Sequence, residues 1–233
     1  MRRMGRLFFR RAVLLISAGF AYLFLSSCHY TDGVLTTVQP DAPALHRLAV
    51  FPFVRIAPDD PQTTVVRCPL CRAFVQAEPS PPESENIITS LLVDRLAASK
   101  EFELIPPERA GGMLQGLAAA EALHTGTAEL IRKAGAELGA EGVVVGYIYR
   151  FRERQGRPYS VKRPASVAYE IHLVRVSDGS HLWRGMFDKT QTSLTENLLQ
   201  IKWFLREKGR WVTATKLADE GMEEILKTFP GLQ

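Results

Sequence analysis

The sequence predicts a mixed α/β (α+β) sandwich, one sheet of about five strands with helices packed on it. Three observations predict it. Short β-rich apolar runs alternate with helical patterns through the first half of the chain. The segment Gly142-Val-Val-Val-Gly-Tyr-Ile-Tyr149 is apolar on both alternations, as a central strand buried on two faces requires. Two further runs, 167–176 and 182–190, flank Ser177-Asp178-Gly179-Ser180, a strong hairpin signal.

The elements follow in order. Leu48-Ala-Val-Phe-Pro-Phe-Val54 reads as a strand, and Pro52 confines it to a sheet edge or a strand end. Residues 57–86 hold six prolines and two cysteines without periodicity, the pattern of a functional or disordered insertion. Ser84 can cap a helix to about Ser99, with Ile88, Leu91, Leu92 and Leu96 at helical spacing. Phe102-Glu-Leu-Ile105 is a short strand stopped by Pro106-Pro107. An alanine-rich stretch over 108–123 suits a loose helix. A firmer helix over 127–138 places Leu130, Ile131, Ala134 and Leu138 on one face and ends at Gly139. Ser193-Leu-Thr-Glu196 has the form of a capping box and opens a helix to about 205. The last helix, 214–228, packs Ala218, Met222, Ile225 and Phe229 before Pro230-Gly231.

Ahead of this domain stands an export signal. Residues 1–11 are basic, residues 12–25 are apolar, and Leu25-Ser26-Ser27-Cys28 follows. Fourteen apolar residues are short for the roughly 30 Å of a bilayer core. The ending resembles the bacterial lipobox. That resemblance implies cleavage before Cys28 and diacylation of its sulfur, palmitate being a typical acyl chain. His29 follows where an aspartate would favour the inner membrane, which implies an outer-membrane lipoprotein facing the periplasm. The expected organisation is a signal peptide at 1–27, a flexible tether at 28–46 and a single domain at 47–233.

Of the 29 basic side chains, five arginines lie in the leader, leaving 24 against 25 acidic ones in the mature chain. A near-neutral exported protein has no field to attract nucleic acid.

The succession Leu48-Ala-Val-Phe-Pro-Phe, Leu92-Val-Asp-Arg-Leu, Phe102-Glu-Leu-Ile-Pro, Leu138-Gly-Ala-Glu-Gly-Val-Val-Val-Gly-Tyr and Ala168-Tyr-Glu-Ile-His-Leu-Val-Arg-Val-Ser-Asp-Gly-Ser-His-Leu-Trp-Arg-Gly resembles the α/β domain shared by the TolB amino-terminal domain, CsgG and LpoB. It spans residues 47–229. The resemblance implies a non-enzymatic envelope domain that binds proteins, builds export assemblies or regulates cell-wall synthesis, with homo-oligomers among its forms. The long amphipathic insertions from which a secretion pore builds its barrel have no counterpart here, so no pore is expected.

Candidate chemistry is sparse. Cys68-Pro-Leu-Cys71 has three readings: a disulfide, metal ligation or redox exchange. Zinc needs two further ligands, and no second Cys-x-x-Cys exists. A thioredoxin-like site would need a helix after the pair, and none is expected. His172 and His181 flank the hairpin. A two-residue Asp178-Gly179 turn would set them about 13 Å apart at roughly 3.3 Å per residue, too far to share a metal. The segment 150–163 carries Arg150, Arg152, Arg154, Arg157, Lys162 and Arg163, with Phe151 and Tyr159 interleaved. It reads as a solvated loop or, functionally, as a docking patch for an acidic partner, lipid headgroups or a glycan. No nucleophile elbow, metalloprotease helix or phosphate-cradling loop is present, so neither an enzyme nor a cofactor is expected. The leading expectation is a lipid-anchored binding or scaffold protein of the envelope. The alternative is a redox-active or metal-binding lipoprotein that uses Cys68 and Cys71.

Overall fold

The computed structural model describes residues 33–40, 43–58, 60, 62–120, 126–157, 160–191 and 211–232. All lie in one compact unit, Asp32–Gln233. The strands are β1 (Val34–Val38), β2 (Arg47–Val50), β3 (Val54–Arg55), β4 (Val65–Arg67), β5 (Phe74–Gln76), β6 (Glu103–Ile105), β7 (Gly142–Arg152), β8 (Gln155–Arg157), β9 (Ser160–Arg163), β10 (Ser166–Arg175) and β11 (His181–Thr190). The helices are α1 (Glu83–Ser99), α2 (Pro107–Ala120), α3 (Thr127–Glu137) and α4 (Ala214–Leu226). The helix expected at 193–205 lies outside the described residues.

The main sheet runs β1-β11-β10-β7-β2-β6, with β3 also paired to β7. The early strands β2, β3 and β6 pair in parallel and the β7-β10-β11-β1 meander is antiparallel. This is the expected mixed α/β architecture, with seven strands instead of five. The additional pieces are β3 and β1. Strand β1 lies within the segment expected as a tether, and it closes one edge of the sheet by pairing with β11.

Both faces of the sheet are covered, which explains why β7 is apolar on both alternations and why β10 is buried along nearly its whole length. One face packs against α1 and α4 through Phe53, Ile88, Leu92, Tyr169, Ile171, Leu217 and Met222. The other packs against α2, α3 and the 57–86 insertion through Cys68, Val75, Ala110, Ile131, Val145, Tyr147 and Tyr149. The insertion is therefore ordered in part. Strands β4 and β5 form a small antiparallel hairpin. The chain leaves the sheet where Ile56 N–H donates to Ile148 O at 2.8 Å, and returns where Glu78 N–H donates to Tyr149 O at 2.8 Å.

Candidate functional site

The insertion hairpin carries Cys68 and Cys71 in its turn. Arg72 takes a left-handed conformation with φ of 64°. Its N–H donates to Cys68 O at 3.1 Å, and Cys68 N–H donates to Ala73 O at 2.9 Å. This tight turn brings the Cys71 backbone N–H to 3.4 Å from Cys68 Sγ, so both sulfurs face the sheet.

Opposite them, β10 presents Glu170 and His172. Residues two apart on a strand share a face, here the face under the insertion. Cys68 Sγ lies 3.4 Å from His172 Nε2. Cys71 Sγ donates to Glu170 Oε1 at 3.4 Å, and His172 Nε2 is 3.5 Å from the same oxygen. Tyr149 OH donates to Glu170 Oε2 at 2.7 Å. The register of β7 against β10 shifts beside Tyr149. Such an irregularity re-aims a side chain, and here the phenol reaches the carboxylate. Arg184 of β11 donates through Nε to Glu170 Oε1. Cys68, Glu170 and His172 are fully buried, and Cys71 is partly so.

The electrostatics follow from these contacts. Burial opposes charge on Glu170, yet hydrogen bonds from His172, Tyr149 and Arg184 outweigh it and hold the carboxyl far below the usual range. Burial also opposes charge on His172, but contacts with Cys68 and Glu170 prevail and raise it. Burial and the neighbouring His172 push His181 down. Burial, reinforced by Glu170, raises the Tyr149 phenol.

Cys68 and Cys71 stand unlinked in this structure. The expected separation of the histidines changes. His172 and His181 are neighbours, with ring centroids 5.7 Å apart. The turn is longer than two residues, because Arg175 N–H donates to Ser180 O across it. His181 therefore faces Val174, next but one to His172, after a register shift at Leu173/Val174. His172 is fully buried inside the cluster. Glu170 was not singled out at all. Its signal was available, since Glu and His two apart inside a doubly buried strand must share one face and find partners there.

The basic segment is largely committed to internal pairs. Arg150 is buried in β7, donates to Ser166 Oγ at 2.6 Å and pairs with Asp188. Arg152 donates to both carboxylate oxygens of Glu78 at 2.6 Å, and Arg163 pairs with Glu78 at 3.2 Å. Strands β8 and β9 pair antiparallel, and Arg157 and Lys162 on them are exposed. Leu25, Ser26, Ser27 and Cys28 lie outside the described residues.

Fold and site together define a mixed α/β domain with a buried thiol–imidazole–carboxylate cluster beneath a proline-rich insertion. No family model matches the chain, and no curated protein matches it. Among solved structures, it is similar to the PelC dodecamer from Paraburkholderia phytofirmans, at 13% identity and a TM-score of 0.47, covering 86% of this chain and 96% of that one. It is also similar to the LpoB C-terminal domain from Escherichia coli, at 18% identity and a TM-score of 0.39, covering 66% and 88%. The LpoB C-terminal domain from Salmonella enterica gives 17% identity and a TM-score of 0.38, covering 65% and 87%. At these identities and TM-scores the likenesses carry no function to this chain.

Proposed function

We propose that this chain is an exported lipoprotein of the bacterial cell envelope, held to the outer membrane by acylated Cys28 and acting by binding other envelope proteins, not by catalysis. One observation carries the reading: a basic leader, a 14-residue apolar run and Leu25-Ser26-Ser27-Cys28 stand in the order and spacing that lipid attachment requires. Two or more acyl chains anchor a protein stably, where one binds marginally. The near-neutral mature chain and the lack of a recognised catalytic motif in its sequence support a binding role. Arg157 and Lys162 on β8 and β9 are the exposed remnant of the basic segment and the place where a partner would dock.

The test is metabolic labelling with radioactive palmitate, followed by in vivo crosslinking from position 157. Label should enter the wild-type chain and be lost in Cys28→Ser, and the crosslinker should capture an envelope protein. Equal labelling of both chains would defeat the anchor. A labelled chain that captures no partner would defeat the binding role alone.

A further inference from the structure

We propose that Cys68, Cys71, Glu170 and His172 form a closed tetrahedral site for one zinc ion, which pins the 57–86 insertion to the sheet. The inference stands apart from the lipid anchor, because every ligand lies in the folded domain.

Geometry comes first. The four ligand atoms, two Sγ, one carboxylate oxygen and one imidazole nitrogen, all lie within 4.8 Å of one another. Zinc binds sulfur at about 2.3 Å and nitrogen or oxygen at about 2.0–2.2 Å, so a tetrahedron separates its ligands by roughly 3.3–3.8 Å. Three edges of the cluster measure 3.4, 3.4 and 3.5 Å. An ion at the centre needs only small side-chain adjustments.

The supporting contacts fit as well. Tyr149 holds Glu170 Oε2, which turns Oε1 toward the sulfurs and the imidazole. The Cys71 backbone N–H donates to Cys68 Sγ at 3.4 Å and fixes where that sulfur points. His172 turns Nε2 toward both Cys68 Sγ and Glu170 Oε1. Partners of this kind orient metal ligands and tune their affinity.

Charge and softness select the ion. Two thiolates and a carboxylate buried together are untenable alone. A dication and the Arg184 guanidinium cancel that formal charge. On binding, the two thiol protons leave for solvent and His172 serves as a neutral imidazole. Thiolate and imidazole donors favour zinc over calcium or magnesium, which prefer all-oxygen sets. Four protein ligands leave no open position, so the site is structural and does not activate water. A redox role fits less well, since a strand, β5, follows the pair where a thiol-exchange site would use a helix N-terminus.

The test uses the full chain, purified from detergent-solubilised membranes without chelator. Elemental analysis should find one zinc per chain. Cobalt exchange should give a sulfur-to-cobalt charge-transfer band and the strong visible absorption of tetrahedral cobalt. Alkylation read by mass spectrometry should modify Cys68 and Cys71 only after chelation. His172→Gln should weaken zinc binding by roughly tenfold or more, while His172→Cys, which keeps a ligand, should retain stoichiometric zinc. Circular dichroism confirms that each variant is folded. The proposal is overturned if the reduced wild-type chain takes up no zinc, or if folded His172→Gln binds it as tightly as wild type. A Cys68–Cys71 disulfide that forms equally fast with and without zinc also overturns it.

Discussion

Gly146→Ala should destabilise the domain measurably, because of what sits above that residue. Gly146 lies in β7 opposite Ile171, between Glu170 and His172 on β10. A methyl group there would fall well inside van der Waals contact with three ring atoms of Phe53. That ring has no easy retreat. Phe53 is 1% exposed, its N–H donates to Thr89 Oγ1 in α1 at 3.0 Å, and its ring packs edge-on to Tyr169 with centroids 6.3 Å apart. Overpacking of a fixed core costs about 1–3 kcal/mol and more where relaxation is blocked. Removing a strand glycine returns about 0.5–1 kcal/mol of backbone entropy. The net cost is about 2 kcal/mol, or a Tm lower by about 4–8 °C for a domain of this size. Thermal unfolding followed by far-ultraviolet circular dichroism measures it. Phe53→Leu removes the clashing ring edge, so the double variant should lose less than the two single costs added together. A wild-type midpoint for Gly146→Ala, or strictly additive costs, would refute the reasoning.

Two further predictions concern α4. Burial tends to raise Asp219, but Arg95 at 2.5 Å, aided by Lys216, outweighs it and holds the carboxyl below its usual value. A folded value below the unfolded one stabilises the protein above the ordinary aspartate range, and that stabilisation is lost as pH falls through the depressed value. Asp219→Asn should therefore cost about 0.5–1 kcal/mol at neutral pH, and urea unfolding should show its gap to wild type closing below about pH 4; a constant gap would contradict the pairing. Thr213 caps α4 by accepting from Lys216 N–H at 3.2 Å, so Thr213→Ala should cost about 1 kcal/mol in the same assay while Thr213→Ser stays near wild type.

Much of the fold was legible because its signals are local. The two-faced apolar run at β7, the helical spacing of Ile88, Leu92 and Leu96, and the turn at Ser177–Ser180 each act within a dozen residues. Strand β1 was not legible: Val34-Leu-Thr-Thr-Val38 is short and half exposed, and its place is fixed by distant β11. The cluster was half legible. The Cys68–Cys71 spacing stood out, but its partners lie about a hundred residues away and depend on how the insertion folds back. The histidine separation failed on one local detail, since a turn longer than two residues slid His181 along the strand. The basic segment misled because its charge is visible in sequence while its partners, Glu78 and Asp188, are brought to it by the fold.

Anomalous diffraction across the zinc absorption edge, from crystals of the chain grown with zinc, tests the central claim most directly. A single peak should lie between Cys68 Sγ, Cys71 Sγ, Glu170 Oε1 and His172 Nε2, about 2.3 Å from each sulfur and about 2.0–2.2 Å from the other two atoms. An empty centre, with the sulfurs joined at about 2.05 Å, would contradict it.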